Sequence, residues 1–145
     1  LACRRIAAGL VAAKIRNQRT LLRRNWKDGE AEDRDAALDR LKRLARTAET
    51  APPLPELLGV EGEAAAIHFR RFERMIAPER RLAGFAFERR NRRPPEDPIN
   101  ALLSFAYALA TRAFATALEA AGLDPLLGFL HQPRPGRPAL ALDMM

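Results

Sequence analysis

Cysteine is almost missing from this chain. Cys3 is the only one in 145 residues, which excludes an internal disulfide and a cysteine-rich zinc site. Lysine is nearly as scarce: Lys14, Lys27 and Lys42 are all there is, so arginine supplies the net charge of +7. Clean period-two alternation is absent over any useful length, and no sheet is expected. No internal repeat appears. No secretory leader is read at the N-terminus, where Arg4 and Arg5 interrupt any apolar run. The longest apolar run, Ile99 to Ala121, carries Arg112 near its middle and Glu119. Those charges favour a buried core helix over a membrane span. A cytoplasmic protein without a membrane partner is expected. A serine nucleophile is missing too, because Ser104 has neither a spaced base nor a glycine elbow.

What is present is helical pattern. One block runs from about Leu1 to Arg24, with Ile6, Leu10, Ile15, Leu21 and Leu22 at helical spacing. A second, from about Ala31 to Thr50, sets Ala37, Leu38, Leu41, Leu44, Ala45 and Ala48 on one stripe, and Pro52, Pro53 and Pro55 end it. A third spans about Pro55 to Ile76. The fourth starts with Asp97 as N-cap and Pro98 at the first helical position, runs to Ala121 and stops at Gly122. Pro78 to Pro95 and Leu123 to Pro138 read as loops, and a last helix begins near Ala139. Helices of this length must pack to hide their apolar faces. The expected fold is all-α, a helical bundle forming one domain over residues 1–145. Because the chain begins at Leu1 and stops within an apolar run, it is read as a partial domain, truncated at both ends.

Arginine is the side chain suited to bidentate phosphate contacts, which points to a nucleic-acid partner. A GC-rich genome also inflates Arg and Ala together, and composition alone leaves both accounts open. The densest cluster, Arg89, Arg90, Arg92 and Arg93, is easiest to explain beside an anion. DNA phosphates are the preferred reading, with Glu96 and Asp97 as alternative partners for some of the four. Lys14, Asn17 and Gln18 share a face of the first helix, a polar stripe that solvation alone would explain.

Glu61 lies on one helix face with Ala64, Ala65 and His68, and its small neighbours allow close approach of another element. His131 follows the apolar stretch Leu126 to Leu130. Asp143 sits in the apolar run Ala139 to Met145, an odd place for an acid unless it faces something charged. Each has an ordinary explanation when taken singly: a helix-dipole carboxylate, a hydrogen-bonded structural histidine, a solvated acid.

The strings AAKIRNQRTLLRR, LLGVEGEAAAIHF, RRNRRPPEDPINALLSFAYAL, GFLH and ALALDMM, met in this order along the chain, resemble the CRISPR-associated endonuclease/integrase of the spacer-acquisition machinery. The resemblance covers most of the chain, from about Ala12 onward, and is to the family's helical catalytic domain. It implies that Glu61, His131 and an acid at or near Asp143 bind a divalent metal, Mg²⁺ or Mn²⁺. In the family a second acid, one turn beyond the Asp143 position, is often the direct ligand, which would make Asp143 a neighbour of the metal. It also implies phosphoryl transfer on double-stranded DNA, a homodimer, a small ferredoxin-like CRISPR adaptation partner and an N-terminal β-rich domain not contained in these residues. For the stripe of Lys14, Asn17 and Gln18 it implies a DNA-facing or site-supporting role. Two departures stand out: His68 replaces a common Tyr, and Ala139 a frequent Ser. A non-catalytic helical DNA-binding module is the rival reading.

Overall fold

Helices account for all the regular structure among residues 2–145, the part that the computed structural model describes. They are α1 (Ala2–Asn25), α2 (Ala31–Glu49), α3 (Leu54–Arg70), α4 (Pro78–Leu82), α5 (Pro98–Ala120) and α6 (Ala139–Met144), with a 3₁₀ turn over Phe72–Met75. No strand occurs among the described residues, as the lack of alternation predicts.

α1, α2 and α3 build the main core. Val11, Ile15, Leu22, Leu41 and Leu57 are fully enclosed there. The apolar stripe predicted for α2 is the stripe that is buried. In α1 the prediction fails in part: Ile6 and Leu21 are exposed, and Ala7, Ala8, Val11 and Ala12 line the core beside Ile15 and Leu22. Small side chains let the helix backbones approach closely, so the alanines mark the contact face better than the larger residues do. Ion pairs link the edges of this layer. Arg71 grips Asp33 through Nε and Nη2, and Arg40 holds Glu63 bidentately at 2.6 and 2.9 Å.

α3 ends earlier than its periodicity predicts. Arg71 leaves helical geometry (φ −109°, ψ 7°), and the chain tightens into the 3₁₀ turn. Pro78 starts the short α4 inside the stretch read as loop, since proline is preset for a first helical turn.

α5 departs most from expectation. Its boundaries are those predicted: the Asp97 carboxylate accepts from the Asn100 amide at 2.7 Å, and Gly122 closes the helix at φ +75°. A left-handed residue there lets the Leu123 amide reach back to the Leu118 carbonyl at 2.9 Å. Yet α5 is not the buried core helix predicted. Only Asn100 and Leu118 are buried, while Leu102, Phe105 and Leu109 are more than half exposed. The helix packs on α6 rather than on the three-helix layer, and a second small cluster forms from Leu118, Leu140 and Ala141 with Phe114 and Phe129. α5 is long and apolar enough to cross a membrane by length and composition alone.

Candidate active site

The loop before His131 is folded around one carboxylate. Asp143 is buried, and its Oδ2 accepts from the backbone amides of Phe129 (2.5 Å) and Leu130 (2.9 Å). Oδ1 accepts from the His131 amide at 2.9 Å and lies 2.7 Å from His131 Nδ1. Three successive N–H groups pointing at one point form an anion cradle. Burial alone would raise the Asp143 carboxyl, but the hydrogen bonds from the His131 ring and from the Leu130, His131 and Phe129 amides outweigh it and hold the group below the usual carboxylate range.

An ionised carboxylate only accepts, so His131 Nδ1 carries a proton, and in the neutral form of the ring the lone pair lies on Nε2. Among the described residues no partner binds Nε2. Leu130 is buried in the α1–α3 core, and Phe129 packs against both clusters. These anchors fix the loop from below while the imidazole edge stays partly exposed.

The turn also depends on Gly128. A Cβ at that position would meet the His131 carbonyl at 2.7 Å, Ala139 Cβ at 2.9 Å and Asp143 Oδ2 at 2.9 Å. Only glycine allows the loop and α6 to close this tightly. Sequence reading passed over Gly128. Its place at the head of GFLH was the available signal.

Glu61 sits on α3 facing α1, where Lys14 Nζ donates to its Oε1 at 2.5 Å. Lys14 therefore pairs with Glu61 instead of standing free in solvent. Gln18, one turn further along α1, lies beside His68. The His68 ring is buried against the edges of Phe69 and Phe72, at centroid distances of 5.3 and 5.8 Å. Burial lowers its pKa, offset in part by a hydrogen bond with the Gln18 backbone. The position belongs to an aromatic core.

The expected grouping of Glu61, His131 and Asp143 as three ligands is not formed. Among the described residues, no three His, Cys, Asp or Glu side chains are gathered to hold a metal. The two Asp143 oxygens are already shared among four N–H groups. Asp143 stands behind the His131 ring and fixes its orientation. Glu61 and His131 keep the donor types, a carboxylate and an imidazole, that Mg²⁺ or Mn²⁺ accepts.

The arginine cluster divides. Arg90 turns inward: its guanidinium donates to the Asn91 carbonyl, to Asn100 Oδ1 at 2.8 Å and to Ser104 Oγ at 3.2 Å, and lies over the Tyr107 ring. Those contacts tie the loop to α5. Arg89 is exposed with Glu96 at 3.8 Å, and Arg92 and Arg93 are exposed. Asn100, fully buried, is the hub that sequence reading missed. It accepts from the Asn91 amide and donates to the Arg89 carbonyl and to Asp97. A polar residue one turn into an otherwise apolar helix was its trace.

Comparison with known proteins gives a consistent result. The family model described as CRISPR associated protein Cas1 matches residues 2–145. A CRISPR-associated exonuclease Cas4/endonuclease Cas1 fusion from Rhodospirillum rubrum is 61% identical over 96% of this chain and 24% of its own length. A CRISPR-associated endonuclease Cas1 from Moorella thermoacetica is 43% identical over 97% of this chain and 41% of its own. Among solved structures, a chain of a partial Cas6-RT-Cas1–Cas2 complex superimposes with a TM-score of 0.83 at 30% identity, covering 97% of this chain and 40% of that one. A Cas1 protein from Thermotoga maritima gives 0.77 at 28% identity, covering 97% and 41%. The chain thus spans about a quarter to two fifths of these relatives' length.

Proposed function

The chain belongs to the Cas1 family of CRISPR-associated proteins, and from that premise we propose that it is catalytic helical substance of a divalent-metal-dependent DNA endonuclease and integrase. One observation carries the reading: the buried Asp143 fixes His131 with Nε2 free, in a chain that also presents Glu61. Glu61 and His131 would hold the ion, with water or a further carboxylate completing its shell. Once bound, such an ion supplies Lewis-acid polarisation of a backbone phosphate and stabilises charge developing there.

The protein's own residues set up that chemistry. Asp143 holds the imidazole in one tautomer and one orientation, so no rotation is needed when the site is used. Lys14 pins Glu61 Oε1 toward α1, leaving Oε2 without a hydrogen bond among the described residues. Arg89, Arg92 and Arg93 offer phosphate contacts that position DNA without reading its sequence. Among the described residues no side chain is arranged as a covalent nucleophile, which fits direct attack by water or a DNA 3′-hydroxyl on phosphorus. A neighbouring structure is a casposase bound to an integration product, at TM-score 0.68 and 26% identity over 98% of this chain. We extend to this protein a homodimer, double-stranded DNA as substrate, a small ferredoxin-like adaptation partner of the Cas2 kind and a cytoplasmic site of action.

The test uses the longer protein that contains this chain. Glu61→Ala and His131→Ala each reduce Mn²⁺-dependent cleavage and strand joining by at least about 100-fold while duplex affinity and helicity persist. Near-normal turnover in either folded variant contradicts the site and leaves a non-catalytic DNA-binding module.

A further inference from the structure

α1 carries seven Arg and Lys residues and no Asp or Glu. A helix of one sign repels itself unless its charge is met from outside. Lys14 is met by Glu61, and most of the remainder lies away from the candidate active site. Arg16 and Arg19 turn toward α2, where Lys42 and Arg46 answer them with like charge. The four cations line an open hollow of about 390 Å³ between the two helices. Arg16, Arg19 and Thr20 on α1, and Lys42, Ala45, Arg46 and Glu49 on α2, each recur at three- and four-residue spacing, so each set shares one face.

The acids of α2 do not neutralise this hollow. Asp33 is taken by Arg71 and Asp35 by Arg34, both outside it, and neither Glu32 nor Asp39 lines it. Glu49 alone lines it, and it pairs with Arg16. Arg19 is held in place because its Nε donates to the Leu38 carbonyl at 3.0 Å, which leaves its terminal nitrogens for another partner. Ala45 gives the hollow a small floor. A second hollow, lined by Arg4 and Arg5, meets the first at Glu49. Between Arg5 and Arg16 the helix rises about 16 Å, room for roughly five steps of a duplex strand at 3.4 Å each.

We infer that the α1–α2 groove is a second phosphate-binding track, which takes the sugar–phosphate backbone of duplex DNA apart from the Glu61 and His131 region and the Arg89–Arg93 loop. The choice of DNA rests on the proposed function. The anion site itself rests on the convergence of cations from two helices.

Lys42 and Arg46 are exposed and make no side-chain hydrogen bond or ion pair among the described residues, so changing them removes no polar contact of the fold. The experiment measures binding of this chain to a labelled duplex of about 20 base pairs between roughly 50 and 200 mM salt. The double variant Lys42→Glu/Arg46→Glu is compared with Lys27→Glu/Arg80→Glu, which makes the same charge change elsewhere. Loss of two phosphate contacts lowers the slope of log K against log salt by about 1.8, with affinity falling about tenfold or more. The control pair changes the slope by less than about half of that. Lys42→Gln/Arg46→Gln gives the same slope change should the reversed charges impair folding. Equal effects from the groove and control pairs overturn the inference, as does an unmodified chain that binds no duplex at the lowest salt. Mn²⁺ binding at His131, read separately, reports on the active-site proposal, so either idea fails without hiding the other.

Discussion

Replacing Asp143 with Asn keeps the shape of the side chain and removes its charge. Whichever way the amide is turned, its NH₂ faces two N–H donors. On the Oδ2 side these are the Phe129 and Leu130 amides, and on the Oδ1 side the His131 amide and ring. The ring can change tautomer, but the backbone amides have no such escape. A buried donor left without its acceptor costs about 1–3 kcal/mol, and with partial relaxation the variant loses about 2–4 kcal/mol in total. For a chain of this size that lowers Tm by about 5–15 °C. The assay is urea and thermal unfolding followed by circular dichroism at pH 7 and at acidic pH. Asp143 has a folded pKa below its ordinary value of 3.8, so its stabilisation is present above that pH and is lost as pH falls through the folded pKa. The gap between native and variant protein therefore narrows below pH 3.8. A loss under about 0.5 kcal/mol, or a gap that ignores pH, refutes the cradle.

The arginine loop gives a contrast between neighbours. Arg92→Ala/Arg93→Ala weakens duplex binding and flattens the salt slope by up to about 1.8 without changing stability, whereas Arg90→Ala lowers the melting temperature and leaves the slope nearly unchanged. Binding titrations and melts on the same samples separate the two. His68 supplies a pH dependence of its own. Its folded pKa lies below the ordinary 6.5, so stability declines as pH falls below that value, because the unfolded chain takes up the proton first. His68→Phe removes this limb of a stability–pH profile, and a profile unchanged by the substitution contradicts the buried neutral imidazole.

Local signals made the helix ends readable. Asp97 with Pro98 starts α5, Gly122 closes it, and Pro52 with Pro53 separates α2 from α3, because caps and proline geometry act within a few residues. The α2 stripe was equally plain. The α1 face was not, since Ala7, Ala8 and Ala12 carry the packing through their smallness while hydropathy draws the eye to Ile6 and Leu21. Nothing in the apolar sequence of α5 says whether another element covers it. Arg90 and Arg92 look alike in a string, and only the position of Asn100 makes one structural. Glu61 and His131 were found through the family resemblance. The part played by Asp143 depends on three amides that loop back to it from fourteen to twelve residues earlier, a relation no periodicity encodes.

The central claim is that Glu61 and His131 together hold a divalent ion, and the two histidines of the chain allow a direct reading. The measurement is a Mn²⁺ titration followed by the imidazole nitrogen resonances of His131 and His68, repeated in Glu61→Gln. The account predicts that His131 Nε2 broadens at substoichiometric Mn²⁺, more strongly than His68, and that this selective broadening disappears in Glu61→Gln while the fold is kept. Broadening of His131 that survives Glu61→Gln, or equal broadening of both rings from the first addition, contradicts it.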